Sequence, residues 1–369
     1  MGLSIYRGTR SARLRVTTSD GEVAVVENME GDKGFRIGFE ARRTMDGSPG
    51  EFRCTALNLS DEVLGAIDAA QPSRVDDLDK LLAGKQLQSA ILADDGSDAL
   101  AAGFAVVELE AGYDGVVSRI FKAIGVRIET LPTDGDVTQE TVIESNEGAD
   151  GVLSLVAASF EAGTPTFDVV DYLRRVAGLG PGNLTPANFA AVLGDSRLDS
   201  PYHSSGGQAL ARIDEVLKYL DCRWFIDDRE IWICARDGVV SPTGALPWVA
   251  DGPPEEPEPL IGRPRRVDGG YVEMTCFLCP RLRPGRLLRL TPGGLALAEQ
   301  GLAPSAQAKQ RARVPPGLYR MDEVVHRGTT GPGEATTTAK LRPVVLPDLD
   351  AGGNQDVKDL LLLAIIMGG

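Results

Sequence analysis

Histidine occurs twice in this chain of 369 residues, cysteine five times, and aromatic side chains make up 5% of it. Each scarcity excludes something. His203 lies in a Gly/Ser-rich stretch beside Ser204 and Ser205, read as a loop. A Ser-His-acid hydrolase needs an oriented base and an oxyanion hole, and the sequence has no GxSxG elbow to supply them. His326 precedes Arg327-Gly328-Thr329 and reads as the end of a strand entering a turn. An odd number of thinly spread cysteines argues against a secreted disulfide framework and for assembly in a reducing cytosol. Cys276-Phe277-Leu278-Cys279 has CxxC spacing but no second pair nearby. On a strand, residues three apart face opposite sides, so two structural thiols are expected rather than a zinc or redox site. Gly178-Leu179-Gly180-Pro181-Gly182 matches neither a dinucleotide fingerprint nor a phosphate loop, because Pro181 blocks the required turn. The low aromatic content disfavours a glycan-binding surface. The one strongly apolar run, Leu360 to Met367, is far short of the roughly 20 residues of a bilayer-spanning helix. The first residues carry no basic stretch followed by an apolar core, so no signal peptide is expected. No catalytic, cofactor-binding or metal-ligating residue is assigned, and no cofactor is expected.

Positive charge is also scarce. Lys plus Arg number 38 against 53 Asp plus Glu, a net charge of −15. Such a chain repels phosphate on average and is a poor candidate for specific nucleic-acid binding. The basic run Arg263, Arg265 and Arg266 is therefore expected on a solvated rim or against an acidic neighbour.

What the sequence does contain is short alternating strands. Phe35, Ile37 and Phe39 alternate with Arg36, Gly38 and Glu40; Asp46 to Gly50 is a cluster of turn formers; Phe52, Cys54 and Ala56 alternate with Arg53 and Thr55. Ser60 is a good N-cap for a short helix carrying Leu64 and Ile67. Strands are also expected over 3–7, 12–18, 22–26, 105–110, 118–123, 126–131 and 138–144. Thr164-Pro165 reads as a helix start, with Thr164 as cap and Phe167, Val170, Leu173 and Ala177 on one face until Gly178 ends it. Residues 178–205 read as loops around a short helix at Asn188–Leu193. Gln208 to Leu220 is the best helix, with Leu210, Ile213, Leu217 and Leu220 in register. A hairpin follows, with a three-residue loop Asp227-Asp228-Arg229 that would pair Trp224 with Trp232 and Cys222 with Cys234. A disulfide across that pair is conceivable in an oxidised particle; reduced core cysteines are the favoured reading.

The fold class is α+β, mainly β: two β-barrel or sandwich domains flanking a small α+β domain. The boundaries are 1–160 for the first β domain, with an insertion at 72–104; 161–236 for the α+β domain; 237–262 for a Pro-rich linker; 263–348 for the second β domain; and 349–369 for an apolar tail. Leu360–Met367 either folds back on its own chain or docks on a partner.

Several stretches, in order, resemble the hub proteins of bacteriophage tail baseplates. They are Leu57-Asn58-Leu59-Ser60 closing the hairpin, Leu109-Glu110-Ala111-Gly112-Tyr113 before Val117-Ser118-Arg119-Ile120-Phe121, Ser159 to Thr164 before a helix, Gln208-Ala209-Leu210 leading into the Trp224–Trp232 hairpin, and Gly317 to Gly328. The last is similar to a "G-Y-x-V…H-x-G-D" strand, with Thr329 where Asp is usual. The resemblance implies two tail-tube-like domains in one chain and a homotrimer whose six domains match a hexameric tube. It further implies contacts with the tail tube or distal tail protein, a central spike or fibre protein and the tape measure protein. The location implied is the virion tail tip, after assembly in the host cytoplasm, with DNA leaving through a channel; from the net charge of −15, excess carboxylates are expected to line it. A non-enzymatic structural role follows; a tail-associated cell-wall hydrolase and a receptor- or glycan-binding tail protein are the competing readings.

Overall fold

The computed structural model describes residues 9–17, 23–29, 36–57, 59–69, 106–132, 139–148, 154–236, 238, 260–290, 314, 317–331 and 333–344. The expected strand at 3–7, the insertion 72–104, the Pro-rich stretch 251–259 and the tail 349–369 lie outside these residues.

Strand propensity and period-two burial dominate. The first half contains β1 (Arg10–Thr17), β2 (Val23–Asn28), β3 (Ile37–Thr44), β4 (Glu51–Leu57), β5 (Val106–Tyr113), β6 (Val116–Pro132) and β7 (Gln139–Asn146). Helix α1 (Asp61–Ala69) follows β4, and the Ser60 hydroxyl accepts the Val63 N–H at 3.3 Å, as the capping reading expects. In β3 the inward positions are Ile37, Phe39, Ala41 and Arg43; the outward ones are at least partly exposed. The inward residues of all seven strands, among them Leu14, Val26, Ile37, Phe52, Leu109, Phe121 and Ile143, meet in one core, with Phe52 stacked on Phe121 at 4.8 Å. Burying each aliphatic or aromatic side chain of this kind contributes about 1.5–3 kcal/mol.

The second half contains β12 (Arg265–Val267), β13 (Tyr271–Phe277), β14 (Leu287–Leu290), β15 (Gly317–Thr329) and β16 (Ala335–Pro343), around a second core that includes Met274, Leu288, Tyr319, Val324 and Leu341. The two halves share one twelve-stranded antiparallel sheet in the order β12-β13-β16-β15-β3-β4-β7-β6-β5-β1-β2, with β14 beside β15. The seam is β3 against β15, from Thr44 opposite Glu323 to Gly38 opposite Thr329.

That seam corrects the barrel expectation. The edge of β3 that a closing strand would need is hydrogen-bonded to β15, so among the described residues the strand path stays open from β12 to β2. The halves nevertheless share a local pattern. Each has two antiparallel hairpins, β3–β4 with β6–β7 and β15–β16 with β12–β13, joined through β4–β7 and β16–β13. The order along the chain is permuted between them.

Between the halves lies an α+β lobe. It contains β8 (Leu155–Phe160), α2 (Thr166–Val176), α3 (Pro186–Leu193), β9 (Tyr202–Gln208), α4 (Ala209–Tyr219), β10 (Cys222–Asp227) and β11 (Glu230–Ala235). The core of this lobe is its own: Val169, Leu173, Ile213, Leu217, Trp224 and Ile233 are among its buried members. Helix α4 follows the expected face, with Leu210, Ile213 and Leu217 buried.

Four local readings are corrected. Residues 118–123 and 126–131 form one strand, because a register shift between Ile124 and Arg127 lets β6 pair with β5 along its first half and β7 along its second. Residues 202–208 are strand β9 rather than loop, paired with β8. Pro165, not Thr164, is the N-cap of α2; the Thr164 hydroxyl donates back to Glu161 O at 2.7 Å. The hairpin loop has two residues, not three: Asp227 faces Glu230, and Asp228 and Arg229 have φ of 53° and 68°. Two left-handed residues make the type I′ geometry that fits strand twist. The register therefore shifts by one, setting Trp224 opposite Ile233 and Phe225 opposite Trp232.

Candidate functional site

Inward positions of a strand normally carry apolar side chains, and Arg43 at the end of the Ile37-Phe39-Ala41 series breaks that rule. Its side chain is 2% exposed, so the charge must be matched inside the protein. The match is Glu147, wholly buried just after β7. Arg43 Nε and Nη2 donate to its carboxylate at 2.9 and 2.6 Å, while Nη1 donates to the Ile120 carbonyl. Arg43 also lies over the Phe121 ring, 5.0 Å from its centre.

The β10–β11 turn completes the network. The Asp228 N–H donates to Glu147 Oε1 at 3.1 Å, and its carboxylate accepts from Arg43 Nη2 at 3.1 Å and Arg119 Nε at 2.8 Å. Asp227 accepts from Arg283 Nη1 at 2.9 Å; Arg283 also donates to the Ile120 and Arg119 carbonyls at 3.0 and 2.6 Å. One cluster thus ties β3, β6, the end of β7, the lobe's hairpin and the segment before β14. Gly50 is obligatory beside it, because a Cβ there would stand 2.5 Å from Glu147 Oε2.

Electrostatics follow from burial and counter-charge. Burial disfavours the Arg43 charge, but Glu147, Asp227 and Asp228 outweigh it and raise its pKa. Burial pushes the Glu147 carboxyl up to about 7, against the pull of Arg43. Burial also opposes ionisation of Asp227, yet Arg283 and Arg43 hold its pKa below the usual value. Carboxylate oxygens of Glu147, Asp227 and Asp228 lie within 4.8 Å of one another, a spacing that could suit a divalent cation. Here three guanidiniums, Arg43, Arg119 and Arg283, already face three carboxylates, so the arrangement is a self-neutralised ion network.

A second buried network centres on Asp322, at the irregularity of β15. Its carboxylate accepts from Arg320 at 2.7 Å and Arg342 at 3.2 Å, and Arg223 of the lobe lies 3.7 Å away. Arg320 further donates to the Arg236 carbonyl at 3.0 Å and to that of Gly238. An apolar patch between lobe and sheet is built on Met45, Phe225 and Cys234, with Trp232 against them, and the Trp224 indole lies against Gly47.

The residues singled out from sequence fall elsewhere. His203 is on β9, its Nδ1 2.9 Å from Ser159 Oγ, in an exposed pair to which no acid among the described residues is bonded. His326 is inside β15, not at its end; it is 1% exposed and bonded through Nδ1 to Thr337 Oγ1 at 3.0 Å. Burial and the nearby Arg283 and Arg43 depress its pKa to about 3. Cys276 and Cys279 enter the same core rather than opposite faces, because β13 ends at Phe277. Cys222 and Cys234 are free thiols in different clusters, and burial pushes both up to about 12. The Gly178–Gly182 segment lies along β11: Gly180 exchanges backbone hydrogen bonds with Arg229 and Ile231, and the Asn183 amide donates to the Ile233 carbonyl and accepts from the Ile233 N–H, each at 2.8 Å. Arg265 pairs with Glu273 at 2.5 Å on β12.

The outward face of the sheet is a lattice of paired charges. Arg13 bonds Glu27 and Glu110; Arg15 and Lys122 flank Glu108; Arg53 faces Glu144; Arg42 and Lys340 flank Glu323; Arg327 bonds Glu40. Each pair is worth little by itself. In the pairs named, seven cations meet six carboxylates, so these described groups do not carry the carboxylate excess of the whole chain.

No family model and no curated protein matches the chain. Solved structures do. The 43 kDa tail protein of prophage MuSo2 from Shewanella oneidensis has 8% identity over 91% of this chain and 98% of its own, with a TM-score of 0.49. A tail protein from Neisseria meningitidis MC58 has 9% identity over the same shares, also at 0.49. The E. coli c3393 protein, a component of the type VI secretion system, has 10% identity over 86% of this chain and 76% of its own, at 0.44.

Proposed function

We propose that this chain is a structural hub of a phage tail baseplate. Three copies form a ring joining a hexameric tail tube to a threefold central spike or fibre, leaving a channel for DNA. The observation that carries the proposal is one chain holding two β halves, fused edge to edge through β3 and β15, with one core mainly in the first half that also takes in Leu278 and Ala335, and another in the second. Each half stands for one tube-like module, so three chains present six. The quoted motifs support this: Ser60 caps α1, 109–113 ends β5, 117–121 opens β6, and 317–328 is β15. The sheet's open edges, β2 and β12, meet neighbours in the ring, since closed symmetry is how oligomers satisfy such edges.

In this reading the site is the pair of buried ion networks, and its work is mechanical: it fixes the lobe between the two halves. The self-paired sheet face suits a channel wall that neither gains nor loses counterions as DNA passes. Partners are the tail tube or distal tail protein, the spike and the tape measure protein, with Leu360–Met367 docking on one of them. The test is mass photometry of the purified chain and cryo-EM of the tail tip. A three-membered ring is expected; a stable monomer at micromolar concentration that lyses cell wall in a zymogram refutes the proposal.

A further inference from the structure

We infer that the Arg43–Glu147–Asp228 cluster is a clasp that holds the α+β lobe to the sheet, and that opening it frees the lobe to reorient while both parts stay folded. The lobe and the sheet have separate apolar cores. Among the described residues they share a patch built on Met45, Phe225, Cys234 and Trp232, contacts of Trp224 with Gly47 and of Ile226 with Gly148, and buried charge. Apolar surface resists exposure, whereas ions regain hydration when an interface opens; an interface made mostly of ion pairs is therefore the one able to part.

Glu147 is the positioning residue of the clasp. It is the group that at once accepts the Arg43 guanidinium from β3 and the Asp228 N–H from the hairpin tip. Charged and titratable groups face it from every side: Arg43 from β3, Arg119 from β6, Asp227 and Asp228 from the hairpin, and Arg283 from the segment before β14. His326 of β15 and Glu230 of β11 feel the same cluster. The tip is held by this network on one side and by β11's attachment to Gly180 and Asn183 on the other, so a released hairpin moves with the lobe.

The test is native-state hydrogen exchange on the full chain, comparing wild type with Glu147→Gln. The variant keeps shape and one acceptor but sets an NH2 donor where the second carboxylate oxygen accepts from Arg43. The amide of Asp228, which donates across the junction, should exchange at least tenfold faster, while those of Phe225 and Trp232, paired with each other inside the hairpin, of Ile213 and Leu217 in the lobe, and of Leu14 and Leu109 in the sheet keep their protection. A second variant, Arg43→Met with Glu147→Met, replaces the ion pair by apolar surface and should leave the hairpin tip better protected than in Glu147→Gln. Protection falling equally in lobe and sheet makes the junction part of one folding core and overturns the inference. So does unchanged protection at the tip, or failure of both variants to fold.

Discussion

At the residue scale, two buried titratable groups act with opposite sign. Glu147, raised to about 7 in the folded chain, contributes stability that is present below the ordinary carboxylate range and is lost as pH rises through 7. His326, depressed to about 3, contributes stability present above the ordinary histidine pKa and lost as pH falls toward 3. Between about pH 4.5 and 6.5 the two slopes oppose each other. Below that window His326 acts with Asp227, whose folded pKa lies below the usual value and whose contribution is also lost on acidification. Denaturant titrations across pH should show a near-flat profile down to about pH 4.5, then a fall of at least about 1.4 kcal/mol per pH unit. In Glu147→Gln the fall should begin nearer pH 6.5. Identical profiles for the two proteins would refute this assignment. Arg43 itself was legible as an anomaly, a cation at an inward position of an alternating strand; its partner was not, because Glu147 lies far away in sequence.

At the element scale, glycines decide how β11 is covered. Gly182 has φ of 51°, and a Cβ there would stand 2.1 Å from the Ile231 carbonyl oxygen. Gly182→Ala should therefore push the 178–183 segment off the strand edge and destabilise the lobe by about 2 kcal/mol or more, read as a lower Tm. An unchanged Tm would mean the edge is satisfied some other way. Periodicity located the helices and most strands, because 3.6 and 2.0 are local properties of the chain. It erred at β6, β9 and the β10–β11 turn for a common reason. A bulged strand that changes partners, a Gly/Ser ribbon and a two-residue left-handed turn are each stabilised by a partner strand rather than by their own residues.

At the scale of the molecule, the sheet's outward face is balanced although the chain is not. Duplex DNA should pass wild type without retardation in a mobility shift at about 0.1 M salt, where Debye screening reaches ~10 Å. Replacing Glu27, Glu108 and Glu110 by Gln releases Arg13, Arg15 and Lys122, and should produce binding that weakens steeply as salt rises. Binding by wild type, or none by the triple variant, would argue against this face as a neutral wall.

The sequence by itself determined the class: alternating apolar positions set strands, and capped amphipathic runs set helices. Only the tertiary structure decided that the β halves share one sheet, and that charges from five distant segments meet at its junction with the lobe. The reason is physical. Period and capping are energies between near neighbours, whereas a strand edge takes whichever partner the chain brings to it, and a buried arginine is tolerable only where the fold delivers its carboxylates.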